Sequence, residues 1–339
     1  MTHPSPAPQL EHRTIGRTGR RLSVIGLGTW QLGADWGAVN HDEALAVLRA
    51  AHNAGITFFD TADVYGDGRS ERLIGQYLQE VGTDEADGIQ VATKMGRRAV
   101  QTPEEFTLDN FRRWNDRSRS NLGVETLDLV QLHCPPTAVF SSDAVYDALD
   151  TLVDEKRIAA YGVSVETCEE ALTAIARPNV ASVQIILNVF RRKPLERVLP
   201  AAAAAGVGII ARVPLASGLL SGRYRRDTVF GADDHRTYNR HGESFDVGET
   251  FSGVDYETGL QAAVEFAELT PQASTPAQNA LRWVIQQPGV TTVIPGARTP
   301  GQARSNAASA HLPALPDATL LALEGLYDRR LRAQIHPRW

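Results

Sequence analysis

An aspartate, a lysine and a histidine each close a short apolar run in this chain, and a tyrosine follows the aspartate by five residues. Asp60 ends "ITFFD", Tyr65 lies in the "TADVYG" that follows, Lys94 ends "IQVATK" and His133 ends "LDLVQLH". An unperturbed tyrosine titrates near about 10 and is a poor acid at neutral pH, but a neighbouring ammonium stabilises its phenolate and lowers that value. Lys94 is the expected tuner of Tyr65, and Asp60 supplies the counter-ion that a buried ammonium requires. His133 is then placed to donate to a substrate oxygen beside Tyr65, so that the two meet the charge developing there. Taken singly, an aspartate caps a helix, a lysine snorkels and a histidine sits satisfied in a core. Together, the four make a proton-transfer device suited to carbonyl reduction. The set moves a proton but carries no hydride, so the reading requires a nicotinamide cofactor.

Convergence needs a frame. Eight short runs rich in Val, Ile and Leu recur: "VIGLGTW" from 24, "ITFFDTA" from 56, "IQVATK" from 89, "LDLVQLH" from 127, "IAAYGVS" from 158, "SVQIILN" from 182, "GIIARVP" from 208 and "TTVIPG" from 291. Each is short and continuously apolar, as a strand buried on both faces should be. Between them lie helical patterns such as "HDEALAVLRAAHNAG" and "RSERLIGQYLQEVG", ending in Gly55 and Gly82. Eight alternations predict an α/β fold, a (β/α)8 TIM barrel, rather than an open doubly wound sheet. In that architecture the carboxyl ends of the strands form the active face, which is where the four residues fall.

The whole chain, 1–339, reads as a single barrel domain with additions. Residues 1–11, opening "MTHPSPAPQL", read as a loose N-terminal tail without the basic and apolar regions of a signal peptide. Residues 12–23 read as a hairpin around Gly19 placed to plug the bottom of the barrel. Residues 223–256 form an insertion after the seventh strand, and 311–339 a C-terminal extension; both are expected to shape the pocket.

The 42% hydrophobic and 22% charged residues suit a globular chain with a substantial core. A formal net charge of −6 excludes the broad positive field that nucleic-acid binding needs, so any anion site is local. The Ala-rich stretch at 201–213 is too short to span a membrane and is interrupted by Gly206 and Gly208. Two cysteines, Cys134 and Cys168, support neither a disulfide framework nor a four-cysteine zinc site and point to a reducing, cytoplasmic setting. His235 and His241 lack partners at metal spacing, so no metal is expected. "GVGIIA" at 206–211 matches a dinucleotide fingerprint, but it runs from helix into strand, the reverse of the required order. Phosphates are expected instead on the loops after strands seven and eight: "PLASGLLSG" at 214–222, and "IPGARTPGQARSN" at 294–306 with Arg298, Gln302, Arg304 and Asn306 at the start of a helix.

The motifs "DTADVYG", "VATK", "VQLHCP", "GVS" and "VIPGARTPGQARSN", in this order, resemble the aldo/keto reductase superfamily, and its bacterial inositol-catabolism and general-stress members in particular. The resemblance runs from about Gly16 to the terminal "RW" and implies Tyr65 as general acid/base, Lys94 and Asp60 as its tuning pair and His133 as orienter of the carbonyl. It implies NADP(H) as the commoner cofactor, with NAD(H) second. Ser164 and Gln184 would hold the carboxamide; Leu215, Ser217, Gly218 and Leu220, with Gly296, Arg298, Gln302 and Asn306, would hold the phosphates. Trp30 matches a position lining the substrate pocket. The chain departs from the family pattern at Val165, where many members carry asparagine, and at Arg212, where an aromatic residue commonly stacks on the nicotinamide; the guanidinium plane can stack in its place. Gly296 and Gln302 stand where the best-known members have a lysine and an arginine, which leaves Arg298 as the 2′-phosphate partner.

The expected activity is reversible hydride transfer to an aldehyde, ketone or sugar-like carbonyl, its partner a small carbonyl or alcohol rather than nucleic acid or membrane. Its alternatives are a physiological dehydrogenase of a sugar, polyol or pyridoxine-like alcohol, and a nucleotide-binding regulatory subunit that turns over little. Substrate and oligomeric state are not encoded in these motifs.

Overall fold

The eight apolar runs pair edge to edge in chain order, all parallel, in the computed structural model, which describes residues 9–33 and 39–339. Two antiparallel strands come first, β1 (His12–Thr14) and β2 (Arg21–Ser23). The barrel strands follow: β3 (Leu27–Gly28), β4 (Phe58–Asp60), β5 (Gln90–Met95), β6 (Leu129–His133), β7 (Tyr161–Ser164), β8 (Val180–Ile186), β9 (Gly208–Arg212) and β10 (Val290–Val293). Parallel bridges Ile25–Val293 and Gly28–Gly296 join the last strand to the first and close the (β/α)8 barrel. Strands β4 to β10 are almost wholly buried, as continuous apolar runs covered by helices must be.

The helices begin and end where local chemistry directs. The helix His41–Asn53 starts in a capping box between Asn40 and Glu43 and buries Ala44, Leu45, Val47, Leu48 and Ala51 along one stripe. The chain then reverses through Gly55 at φ +89°, a left-handed conformation that suits glycine. The helix Pro300–Ala308 after β10 has Thr299 as its N-cap.

The β1–β2 hairpin seals the amino-terminal end of the barrel, as its sequence predicts. Ile15 and Leu22 are buried in a cluster with Phe58, Leu129, Ala181 and Ile210. Residues 1–8 of the expected tail lie outside the described residues, and order begins earlier than the sequence suggests. Leu10 is buried, and the Glu11 carbonyl accepts from the Val24 N–H.

The insertion reaches the opposite end. It carries a short helix (His235–Tyr238) and two 3-10 turns (Val247–Glu249 and Phe251–Gly253) before the helix Tyr256–Leu269 resumes the repeat. The extension, helices Asp317–Arg330 and Arg332–Ile335, ends in Trp339, whose indole N–H donates to Asp246 Oδ1 at 3.0 Å. Arg191 lies 4.2 Å over that indole, so the last residue pins the insertion to the loop after β8.

Gly162 in β7 faces Ser182 of β8 so closely that a Cβ would sit 2.2 Å from the Ser182 hydroxyl and 2.6 Å from its carbonyl oxygen. Gly162→Ala is therefore expected to lower stability by about 1–3 kcal/mol, as overpacking does, seen as an earlier urea midpoint at unchanged slope. An unshifted midpoint would show that β7 and β8 can separate without cost.

Candidate active site

Register brings the polar strand ends to one level. Gly28 pairs with Asp60, Lys94 with Gln131, His133 with Ser164 and Ser164 with Gln184, so side chains far apart in sequence meet at the carboxyl end. The Lys94 ammonium, fully buried, donates to Asp60 Oδ1 at 2.5 Å and to the Thr61 carbonyl at 2.9 Å, and lies 3.4 Å from the Tyr65 hydroxyl. The other Asp60 oxygen accepts from Gln184 Nε2 at 2.7 Å and Gln131 Nε2 at 3.2 Å. A buried carboxylate and a buried ammonium thus have their strong hydrogen bonds made, the condition under which such a pair is tolerated.

The loop carrying Tyr65 is tied down by hydroxyls. Thr61 donates to Ser70, Ser70 to Thr29, and Thr29 to the Asp60 carbonyl, each at 2.8–2.9 Å, linking the ends of β3 and β4 to the helix Arg69–Val81. Gly66 at φ +56° fits where a Cβ would strike the Gly33 carbonyl at 2.0 Å, so the turn that aims Tyr65 requires glycine.

Burial pushes the Lys94 ammonium down, but Asp60 and Tyr65 together outweigh it and the lysine stays charged. For Tyr65 the expected lowering does not result. Burial raises the phenol, Lys94 pulls it down and Asp60 raises it again, leaving it above its ordinary value. The ammonium alone would lower the phenol, but the desolvation of a buried phenolate is the larger effect. His133 lies edge-on to the Tyr65 ring at 5.9 Å, and burial, then Arg97, Lys94 and Arg212, hold its imidazole neutral.

A second charged group surrounds these four. Arg97 donates to Glu249 Oε1 at 3.0 Å, bringing the insertion onto the end of β5. Arg212, at the end of β9, donates to Glu166 Oε1 at 2.8 Å and to the Val165 carbonyl at 3.1 Å, and lies 3.8 Å from Glu249 Oε2. Its guanidinium, expected to stack on a nicotinamide, is held in these ion pairs. Burial raises both carboxyls. Arg97 and Arg212 overcome it for Glu249, bringing it to about 2, whereas Glu166 remains at about 7. Cys134, Glu166 and Glu249 bring ligand atoms within 4.8 Å of one another, but the two guanidiniums already meet the carboxylates, and burial keeps the Cys134 thiol protonated.

Trp30 stacks near Tyr65 at 6.0 Å and meets His235 at 5.2 Å and Phe245 at 6.0 Å, so the insertion contributes an aromatic wall beside the tyrosine. Ser164 Oγ lies 3.4 Å from Cys134 Sγ. Ser217 anchors the insertion, donating to the Glu249 carbonyl and accepting from the Phe251 N–H, both at 3.0 Å. The amides of Gly218 and Leu220 close the turn onto the Leu215 carbonyl. After β10, Gln302 accepts from the Arg298 N–H at 2.7 Å, and Asn306 donates to the Gly296 carbonyl at 3.2 Å.

A family model described as the Aldo/keto reductase family matches residues 24–328. The chain belongs to the aldo/keto reductase family. It is 30% identical to aldo-keto reductase YhdN of Bacillus subtilis (strain 168), over 86% of each chain. It superimposes on the glycerol dehydrogenase of Gluconobacter oxydans with a TM-score of 0.76 at 30% identity, covering 94% of this chain and 96% of the other. A probable voltage-gated potassium channel subunit beta of Oryza sativa subsp. japonica is 25% identical over 88% of this chain and 90% of its own.

Within this aldo/keto reductase, sequence reasoning named the Asp60–Lys94–Tyr65 chain and His133 but missed Gln131, Arg97, Glu166 and Glu249. Gln131 lies inside a quoted run, two residues before His133. Arg97 stands three residues after Lys94, and Glu166 two after Ser164, so distance from a strand end would have found both. Glu249 carries no such signal.

Removing the ammonium should leave a carboxylate buried without its cation. Lys94→Met is expected to cost about 3–5 kcal/mol in denaturant unfolding, and adding Asp60→Asn to recover much of it. Equal stabilities of native and Lys94→Met proteins would mean the pair is solvated.

Proposed function

We propose that this chain is an NADP-dependent oxidoreductase that moves a hydride reversibly between its cofactor and an aldehyde, ketone or sugar-like carbonyl, with Tyr65 moving the proton. The observation that carries the reading is the buried Lys94, hydrogen-bonded to Asp60 and within 3.4 Å of the Tyr65 hydroxyl. In reduction, the phenol gives its proton to the substrate oxygen, and the phenolate left behind faces a lysine that stays charged. In oxidation, the same oxygen takes the proton back. Asp60 holds the ammonium in place, Gln131 and Gln184 hold Asp60, and Trp30 with Phe245 narrows access by water.

A nicotinamide cofactor, when bound, supplies or accepts the hydride. The chain has groups that fit it. Arg298 and Arg304 are exposed beside the N-terminus of the helix Pro300–Ala308, and neither guanidinium has a hydrogen-bond partner among the described residues. Two uncommitted cations there suit an adenosine 2′-phosphate, which supports NADP over NAD. Ser164, at the carboxyl end of β7, suits a carboxamide, whereas the Gln184 amide is already given to Asp60.

The Gluconobacter glycerol dehydrogenase favours a second reading, in which the same residues oxidise a polyol. Both directions use one site, and comparing kcat/KM for carbonyl and alcohol panels separates them. A regulatory role, to which the likeness to a probable channel subunit of Oryza sativa points, predicts bound nucleotide without turnover. No helix among the described residues is long and apolar enough to cross a membrane, and two free cysteines support a cytoplasmic setting.

Nicotinamide absorbance, followed with NADPH across aldehydes, ketones and sugars, should show turnover by the native protein and a drop of ~10²-fold or more in Tyr65→Phe, with cofactor binding retained. A Tyr65→Phe protein that reduces carbonyls at the native rate would remove the tyrosine from the chemistry. Arg298→Ala should raise KM for NADPH about tenfold while leaving that for NADH nearly unchanged, consistent with loss of one charge-assisted hydrogen bond. Equal changes for both cofactors would place the 2′-phosphate elsewhere.

A further inference from the structure

The cations at the carboxyl end of the barrel are not equally committed. Lys94 is buried and paired with Asp60, and Arg212 is buried with one edge given to Glu166 and the Val165 carbonyl. The Arg97 side chain keeps 24% of its surface exposed. Its Nη2 donates to Glu249 Oε1 at 3.0 Å, its Nη1 lies 3.3 Å from His133 Nε2, and the Phe245 ring stands 5.3 Å from its central carbon. His133 is edge-on to Tyr65, and Phe245 meets Trp30, which stacks near the same tyrosine. The accessible cation therefore stands at the same mouth as the phenol.

The carboxyls around it offset it only in part. Burial would raise Glu249, but Arg97 and Arg212 bring it to about 2, so it is ionised at neutral pH. Glu166 takes a bond from Arg212 through Oε1, and its Oε2 is buried without a hydrogen-bond partner among the described residues. Burial raises Glu166 to about 7, opposed by Arg212 and aided by Glu249 and Asp246. Arg97 and Arg191 also face it; Arg191 is offset by Asp246, the Cys134 thiol stays protonated and His133 is neutral. Below pH about 7, two guanidiniums, Arg97 and Arg212, thus face a single ionised carboxylate, Glu249; above it Glu166 ionises and the charges match. In a chain of net charge −6 this positive mouth is a local feature, and a cleft of one sign draws ligands of the other.

We propose that the mouth selects carbonyl substrates bearing a carboxylate a few bonds from the carbonyl, with Arg97 receiving that carboxylate while Tyr65 and His133 attend to the reacting oxygen, and with Glu166 setting the surplus charge. This rests on the reductase reading and names its substrate class. A guanidinium offers a carboxylate paired N–H groups, and a substrate anion there shares Arg97 with Glu249. The carboxylate takes no part in the bond changes: the carbonyl carbon gains the hydride, the C=O π pair moves onto oxygen, and that oxygen takes the Tyr65 proton. Because a protonated Glu166 leaves the surplus charge in place, acidic substrates are favoured most below pH about 7.

Matched pairs isolate the charge: pyruvate against methyl pyruvate, and 4-oxobutanoate against its methyl ester, each followed by NADPH oxidation at about pH 6 and about pH 8. Both acids are ionised across that range, so the substrate's own titration does not enter. At the lower pH the native protein should favour the acid over its ester in kcat/KM by about tenfold in at least one pair, the size of one charge-assisted hydrogen bond, and the preference should shrink at the higher pH. Arg97→Gln should lose the preference, Arg97→Lys should keep part of it, and Glu166→Gln should hold the low-pH preference at both pH values. A merely structural role for Arg97 predicts that Arg97→Gln slows acid and ester alike, and that result would overturn the proposal. An acid preference equal at both pH values in the native protein overturns the part given to Glu166. Native turnover of the esters without any preference for the acids counts against Arg97 alone. Native protein inactive on acids, esters and simple aldehydes counts against the reductase reading itself, and the proposal falls with it.

Discussion

A buried ammonium must be answered on every side, and the answer given to Lys94 organises this end of the barrel. Its bonds to Asp60, the Thr61 carbonyl and Tyr65 draw β4 and the loop after it against β5. Asp60 in turn takes amides from Gln131 on β6 and Gln184 on β8, so one ion pair is supported from four strands. The polar demand of a single lysine is met only when the strands are in this register, because a slip of one residue would turn each of these side chains to the other face. The barrel and the site are consequently one problem with one solution, and the closing bridges between β3 and β10 complete both.

Desolvation then sets what each group can do. The same burial that makes the Lys94–Asp60 pair tight raises Tyr65, so the phenol keeps its proton until a better acceptor arrives. A phenol so placed is suited to giving a proton to an oxygen that becomes negative, and its conjugate base gains a charged lysine as neighbour. His133 is discharged by the same means: burial and three flanking cations hold it neutral. A neutral imidazole can sit with its Nε2 3.3 Å from Arg97 Nη1, where a protonated ring would face a like charge.

The parts of this arrangement that were legible in sequence share one property: they lie on or beside strands. Period and apolarity located all eight barrel strands, and the residues closing those runs, Asp60, Lys94, His133 and Ser164, came with them. Tyr65 followed because it stands in the turn after β4. The hairpin was legible from Gly19 between two short β-like segments. What sequence did not show is tertiary. Nothing in "DVGETF" distinguishes Glu249 from a solvated loop carboxylate, yet it is buried between Arg97 and Arg212. Nor does Trp339 declare that it will pin Asp246 across 93 residues. The sign of the Tyr65 shift is hidden for the same reason, since desolvation depends on what covers the ring, and Trp30, which stacks beside it, is distant in sequence.

The insertion is therefore a working part of the mouth rather than an ornament on it. Its Glu249 meets two guanidiniums that would otherwise repel each other and Lys94 in a confined space. Its Phe245 and His235 stand against Trp30, and its backbone is fastened through Ser217 to the turn after β9 and through Asp246 to Trp339. Each anchor is on a different element, so the segment's position is fixed from several directions and does not depend on its own weak local structure. A barrel whose inner charges are this concentrated needs a carboxylate at the rim. The chain delivers it on the segment that also walls the pocket, and this links the charge balance of the site to the shape of the substrate it admits.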